Sequence, residues 1–220
     1  MEIKNTIDKE LVAEFISERI IESLEKYKEV FWFVTGGSSI EIINLASLQI
    51  AQHPHKNLTI TLTDERYGEI NHKNSNWGKL LETGFNLKDA KIIPILSDQD
   101  PITTTENFNN SLKEMFNKEN YKIGVFGIGA DGHTAGILPQ SIAVNSEEYA
   151  CYYETEKFDR ITITPKTISL LDEGIVFMKG EEKWPVVEDL LNKNTSITEQ
   201  PAQILKTLPK LTIFTDYQNK

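Results

Sequence analysis

Only one of the 220 residues is cysteine, Cys151. An internal disulfide is thereby excluded, as is a zinc site built on thiolates. A lone thiol suits a reducing cytoplasm. Long apolar runs are also missing. The longest is Val30–Val34, far short of the ~20 residues that span a bilayer. The N-terminal stretch MEIKNTIDKE has no basic segment leading into an apolar one, so no signal peptide is expected. Positive charge is in deficit: 23 Lys and Arg face 33 Asp and Glu, a formal charge of −10. Nucleic acid is therefore not the expected partner, since binding phosphate backbones needs a basic face, and no membrane contact is expected either. A small anion is a different matter, because a few focused cations can hold one on an acidic protein. Histidine is scarce, at four. His53 and His55 fall in a loop expected to be exposed, and His72 falls in a polar segment. Without HExxH or a cysteine partner, no metal site is expected. No G-x-S-x-G elbow is present, so a Ser–His nucleophile pair is not indicated.

What is present is alternation. At 39% hydrophobic and 25% charged residues the chain can form a sizeable core, and its length fits one domain spanning 1–220. Leu11, Val12, Phe15, Ile16, Ile20 and Leu24 recur at helical spacing, predicting a helix over Asp8–Tyr27 capped by Asp8. Val30–Thr35 reads as a buried strand, Ile40–Ile50 as a helix and Leu58–Thr63 as a strand. A polar loop, Asp64–Asn76, leads to a short helix at Trp77–Thr83. Further strands are expected at Lys91–Ile95, Tyr121–Phe126, Ala150–Glu154, Arg160–Thr164, Gly174–Met178 and Leu211–Thr215. Helices are expected at Thr104–Lys118, Pro165–Asp172, Glu181–Leu191 and Pro201–Thr207, and a helical turn after His133 that Pro139 ends. The pattern predicts an α/β fold: a doubly wound, mostly parallel sheet with helices on both faces. Ligands gather at the carboxyl ends of such strands, where Thr35–Ser39, Thr63–Asn76 and Gly127–His133 fall.

Each of these loops has a functional reading and a bland one. Thr35-Gly36-Gly37-Ser38-Ser39 offers backbone N–H groups, hydroxyls and a helix N-terminus to an anion; it could equally be a tight turn with a serine cap. It matches neither the Walker loop nor the dinucleotide fingerprint. Asp64-Glu65-Arg66 places three charges after a buried strand, where they must face a ligand or pair with one another. In Asp131-Gly132-His133 a histidine can act as general base with a carboxylate two residues away to fix its tautomer; the alternative is a capping Asp and a helix-start His. Lys183 opens a helix, where its charge opposes the dipole unless an anion is near; otherwise it is solvated. Arg160 begins a strand and could be an edge gatekeeper.

In order, FVTGGSS, LTDERYGEINHKNSN, GIGADGHTAGILP, RITITPKTI, MKGEEK and PAQIL resemble the successive motifs of the 6-phosphogluconolactonase family, within the wider sugar-phosphate isomerase/lactonase superfamily. The resemblance runs from about Phe33 to Asp216. It implies that superfamily's fold and hydrolysis of 6-phospho-D-glucono-1,5-lactone in the oxidative pentose phosphate pathway. It implies no metal and no organic cofactor, with a phosphorylated sugar lactone as the partner. His133 would be the base and Asp131 its support. Gly37 and Ser38 would line the phosphate turn, and Arg66 and Lys183, each after a strand of one sheet, would be the phosphate cations. Asp64 and Arg160 complete the expected substrate-binding set, Arg160 with a structural alternative. Backbone N–H groups of Gly127–Gly132 are the candidates for an oxyanion site. A cytoplasmic monomer is expected.

The chain departs from the family pattern in places. GGSSI stands where GGSTP is usual, DERYGE where DERWVP is frequent, and Gly136 and Leu138 replace a serine and a phenylalanine. The rival reading is a glucosamine-6-phosphate deaminase-like isomerase. Such isomerases carry DEY where this chain has Asp64-Glu65-Arg66, and an acidic residue where it has Leu138. A non-catalytic sugar-phosphate sensor is the third reading; no DNA-binding helix pair precedes the first core helix.

Overall fold

The computed structural model describes residues 1–116 and 120–218. The strands are β1 (Glu2–Lys4), β2 (Val30–Val34), β3 (Leu58–Leu62), β4 (Asp64–Arg66), β5 (Lys91–Ile93), β6 (Tyr121–Gly127), β7 (Ala150–Tyr153), β8 (Arg160–Ile163), β9 (Glu173–Met178) and β10 (Lys210–Thr215). The α-helices are α1 (Lys9–Lys26), α2 (Ile40–Ile50), α3 (Asn76–Glu82), α4 (Pro101–Phe116), α5 (Pro165–Ser169) and α6 (Trp184–Asn192). Seven strands form one sheet in the order β1-β10-β9-β6-β2-β3-β5, every neighbouring pair parallel. Three short strands form a second, antiparallel sheet, β4-β8-β7.

β2 is buried at all five positions because it lies between β6 and β3 with both faces covered. That is why VFWFV reads as an unbroken apolar run rather than an alternation. The Asp8 carboxylate caps α1 by accepting the backbone N–H of Glu10 at 2.9 Å and Leu11 at 3.2 Å. Val12, Ala13, Ile16, Ile20 and Leu24 form the buried face of α1. Leu11, expected there, is 53% exposed, one position off that face.

Several expectations need correction. β1, too short to leave a periodic signal, adds an edge strand beside β10. Asp64–Arg66 is a strand, so only 67–75 remains a loop and α3 begins at Asn76. The strands near 150 and 160 belong to the small sheet, not to the parallel one. No helical turn follows His133. Thr134 bridges both Ile128 and Ile137, and the Ile137 N–H closes a turn onto the Thr134 carbonyl at 2.7 Å through left-handed Ala135 and Gly136. Pro201–Thr207 is a 3-10 helix. α4 begins at Pro101, and Lys118, its expected last residue, lies outside the described residues. His55 is buried rather than exposed, with Nδ1 against the His53 carbonyl at 2.7 Å.

The amino ends of β6, β9 and β10 are tied by a buried charge cluster. Glu173 accepts hydrogen bonds from Arg19 Nε and Nη2 and from the Tyr121 hydroxyl, all at 2.9 Å. Lys210 Nζ donates to the same hydroxyl at 3.1 Å. Burial and the neighbouring Glu173 push the Tyr121 phenol well above its ordinary range. Removing one partner of a buried ion pair strands the other charge. Such a loss costs about 3–5 kcal/mol, and Arg19 keeps 23% exposure, which places the expected cost at the lower end of that range. Glu173→Ala should therefore lower stability by about 3 kcal/mol, read as a fall in the thermal midpoint.

Candidate active site

Strand order sets the position of the site. From β2 the chain builds outward through β3 to β5, then returns to place β6 on the other side of β2. The loops leaving β2 and β6 therefore diverge at their carboxyl ends and leave a crevice, the usual ligand position in an open α/β sheet. A cleft of about 210 Å³ opens there, and Gly37, Ser38, Asp64, Arg66, His133, Arg160 and Lys183 line it. All seven were expected site residues. The eighth, Asp131, does not line the cleft but holds His133.

The Asp131 carboxylate Oδ1 accepts from the His133 backbone N–H at 3.1 Å and lies 2.6 Å from Nδ1. Nδ1 is then the protonated ring nitrogen and Nε2 the bare one. Burial pushes the Asp131 carboxyl up, but hydrogen bonds from His133 and its charge outweigh this, so its pKa is lowered. Gly129 is required by space: a side-chain carbon there would overlap the His133 imidazole. The Gly129 N–H donates to the His133 carbonyl and the Gly132 N–H to the Gly129 carbonyl, both at 3.0 Å. Those two amides hold the turn and are not free for an oxyanion, which narrows the expectation for Gly127–Gly132 to the other amides of that segment.

On β4, alternation separates the three charges. Asp64 pairs with Thr162 and Arg66 with Arg160 across the antiparallel ladder, so Asp64, Arg66 and Arg160 share the cleft face. Two arginines directly opposite one another repel. Asp64 Oδ2 offsets one of them, 3.4 Å from Arg160 Nη1. Arg160 is thus a cleft residue and not an edge gatekeeper. Arg66 has no carboxylate partner among the described residues. Its Nη1 donates to the Asn74 carbonyl at 2.9 Å and its guanidinium lies over the Phe158 ring, 5.5 Å from the centroid. The Nε atoms of both arginines are buried without a hydrogen bond.

Glu65 points the other way. It accepts from Arg66 N–H (2.8 Å), Ser75 hydroxyl (2.8 Å), Asn76 N–H (2.6 Å) and Trp77 N–H (3.0 Å). Burial pushes its carboxyl up and these four donors pull against it, leaving it raised. Two of the donors are first-turn amides of α3, so Glu65 caps that helix from outside it.

Gly37–Ser39 is a 3-10 turn leading into α2, with Gly37 at φ +69°; the tight turn is present, but no serine side chain caps the helix. Lys183 ends a 3-10 turn at the start of α6 and has no carboxylate partner among the described residues. The Asp216 carboxylate fixes that turn by accepting the Gly180 N–H at 3.1 Å and Trp184 Nε1–H at 3.0 Å. Arg66 and Lys183 were expected after strands of one sheet; Arg66 lies within β4 of the small sheet, and Lys183 follows β9 of the large one.

Asn76 is a cleft residue that no local signature marks. It is buried, its Nδ2 donates to the Asp64 carbonyl at 2.9 Å, and its Oδ1 has no hydrogen bond. The only sequence signal was its place in the SN pair that ends the DER segment. Among the described residues no group of three or more His, Cys, Asp or Glu could hold a metal ion. Around the cleft, three cations face one carboxylate on a protein of charge −10, and this local reversal suits an anionic ligand. Because Glu65 joins both ends of the 66–76 segment, Glu65→Gln should cost about 1–3 kcal/mol through unpaired buried donors. Limited proteolysis should then cut within 67–75, while the exposed control Glu69→Gln stays resistant.

Residues 8–213 match the family model described as glucosamine-6-phosphate isomerases/6-phosphogluconolactonase. The 6-phosphogluconolactonase of Borreliella burgdorferi is 30% identical over 207 residues, covering 88% of this chain and 86% of that protein. The 6-phosphogluconolactonase structure from Shewanella baltica superposes with a TM-score of 0.82 at 18% identity, covering 98% of this chain and 97% of that one. A monomeric glucosamine-6-phosphate deaminase superposes with a TM-score of 0.78 at 15% identity, covering 98% and 97%. At those identities the two superpositions speak for the fold alone, a central parallel sheet flanked by helices. With the model matching nearly the whole chain and a relative at 30% identity over most of it, this chain belongs to the glucosamine-6-phosphate isomerase/6-phosphogluconolactonase family.

Proposed function

We infer that this protein is a 6-phosphogluconolactonase, hydrolysing 6-phospho-D-glucono-1,5-lactone to 6-phospho-D-gluconate in the oxidative pentose phosphate pathway. The observation that carries this reading is the His133–Asp131 pair at the mouth of a cation-lined cleft. A lactone carbonyl is already electrophilic, so attack by water needs a base. His133 Nε2 takes a proton from water as the oxygen bonds to C1. Asp131 holds the imidazole through Nδ1 and supports the positive charge it gains. When the C1–ring-oxygen bond breaks, the imidazolium returns the proton to the departing oxygen; the carboxylic acid left at C1 gives its own proton to solvent, and the carboxylate product is released. The phosphate sits against the Gly37–Ser38 turn with Arg66 and Lys183 as its cations, and Arg160 and Asp64 complete the substrate wall. Anchoring the phosphate away from C1 supplies orientation.

The deaminase reading is less well supported. Leu138 packs on the core where such isomerases carry an acidic residue, and ketose–aldose chemistry needs proton transfer at two carbons. No helix among the described residues is long and apolar enough to cross a membrane. A cytoplasmic location, a monomeric state and a single catalytic domain over 1–220 belong to the same proposal. Turnover of freshly prepared lactone, beside glucosamine 6-phosphate and after subtraction of spontaneous hydrolysis, tests the reaction. Activity on the amino sugar alone would overturn it, and so would binding of 6-phosphogluconate without lactone turnover.

Two further outcomes follow. His133→Ala should lower kcat by about 10²–10⁴, the contribution of a positioned acid/base group, with the fold retained; a variant above half the wild-type kcat would remove His133 from the reaction. Charge-assisted hydrogen bonds contribute about 1.5–3 kcal/mol each, so Arg66→Ala or Lys183→Ala should weaken 6-phosphogluconate binding by about 10–150-fold. Arg66→Lys should also lose affinity, because one ammonium cannot reproduce a guanidinium fork. Calorimetric titration reads both, and unchanged affinity in both alanine variants would refute the shared phosphate site.

A further inference from the structure

The loop that follows Arg66 contains a histidine the reaction does not use. His72 is half-buried, and its Nε2 lies 2.9 Å from the Arg66 carbonyl. Its Nδ1 accepts the Asn74 backbone N–H at 3.3 Å. A carbonyl can only accept and an amide N–H can only donate, so the two bonds together define one tautomer: hydrogen on Nε2, none on Nδ1. Asn74 is also the residue whose carbonyl receives Arg66 Nη1 at 2.9 Å. The imidazole therefore bridges the main chain of Arg66 to the residue that holds the Arg66 side chain. The loop has its own frame besides this bridge. His72 N–H closes a turn onto the Glu69 carbonyl at 3.1 Å, and Ser75 N–H closes the next onto the His72 carbonyl at 2.8 Å. Loss of the imidazole should thus leave the loop folded and free only the Asn74–Arg66 contact.

Room for the ring comes from a departure in the motif. Gly68 stands where the frequent DERWVP pattern has valine. A side-chain carbon at 68 would lie 3.0 Å from His72 Cδ2 and 3.1 Å from Nε2, tighter than an ordinary contact. Gly68 is not needed for backbone conformation, since its φ is not in the left-handed region. Its lack of a side chain serves the imidazole.

We propose that His72, seated by Gly68, is a positioning residue that holds the Arg66 guanidinium ready for the substrate's anionic group. The proposal rests on the reading that Arg66 binds that group. His72 touches no substrate; it acts through Asn74. Its effect belongs in binding and not in the proton transfers at His133.

The test is calorimetric titration with 6-phosphogluconate, with lactone kinetics and a thermal melt for each variant. His72→Ala should weaken binding by about 5–20-fold, the scale of one or two neutral hydrogen bonds, and raise KM similarly, with kcat within about threefold of wild type. His72→Gln, which keeps a donor near the position of Nε2, should recover part of the loss. Gly68→Val should reproduce the loss and add nothing to His72→Ala. In an Arg66→Ala background, His72→Ala should change affinity less than about twofold, the non-additivity expected of residues acting through one contact. Unchanged affinity in His72→Ala, with or without a lowered melting temperature, would overturn the proposal. An undiminished loss in the Arg66→Ala background would also overturn it. If Arg66→Ala by itself bound normally, the reading of Arg66 would fail first and the proposal with it, an outcome distinct from failure of His72 alone.

Discussion

The reversal of strand order at β2 is the constraint on which the site depends. With β3 on one side and β6 on the other, the loops leaving β2 and β6 run in opposite directions and leave a crevice between their ends. Into that crevice come the Gly37–Ser39 turn from β2, the His133 turn from β6 and Lys183 from beyond β9. None of these segments could line one cleft if the sheet were wound in one direction only.

The small sheet supplies the remaining wall. Thr63 is its corner: its N–H bonds the Val34 carbonyl at 2.8 Å, and its carbonyl accepts the Ile163 N–H at 2.9 Å. The chain thereby leaves the parallel sheet for the antiparallel one within a single residue. Past that corner, period-two geometry sends Asp64 and Arg66 to the cleft and Glu65 to the helix behind it. One tripeptide thus does two jobs. Two of its charges line the cleft, and the third caps α3 and anchors the loop between them. Two facing arginines with buried, unpartnered Nε atoms are a costly arrangement.

The opposite end of the sheet is organised for stability. Glu173, Arg19, Tyr121 and Lys210 satisfy one another at the amino ends of the strands, away from the cleft. Charge is paired at that end, while Arg66 and Lys183 at the other are left without carboxylates among the described residues.

The sequence by itself determined the alternation of strands and helices, because burial on both faces writes β2 as VFWFV and one-sided burial writes α1 at helical spacing. It also put the pairing of Asp131 with His133 within reach, since two residues of separation and a glycine between them suffice for the contact, with a capping Asp and a helix-start His as the alternative. The other expected cleft residues were legible through their motifs. What only the tertiary structure decided is long-range. Three residues such as Asp64–Arg66 are too few to show a period, so nothing local separated strand from loop, or the inward charges from the outward one. The partner of Arg160 lies 96 positions away, in Asp64. Asn76 and His72 owe their places to backbone groups of other segments, and backbone groups have no letter in a sequence. The turn after His133 looked helical because left-handed Ala135 is invisible to composition; bridges to Ile128 and Ile137 hold it there.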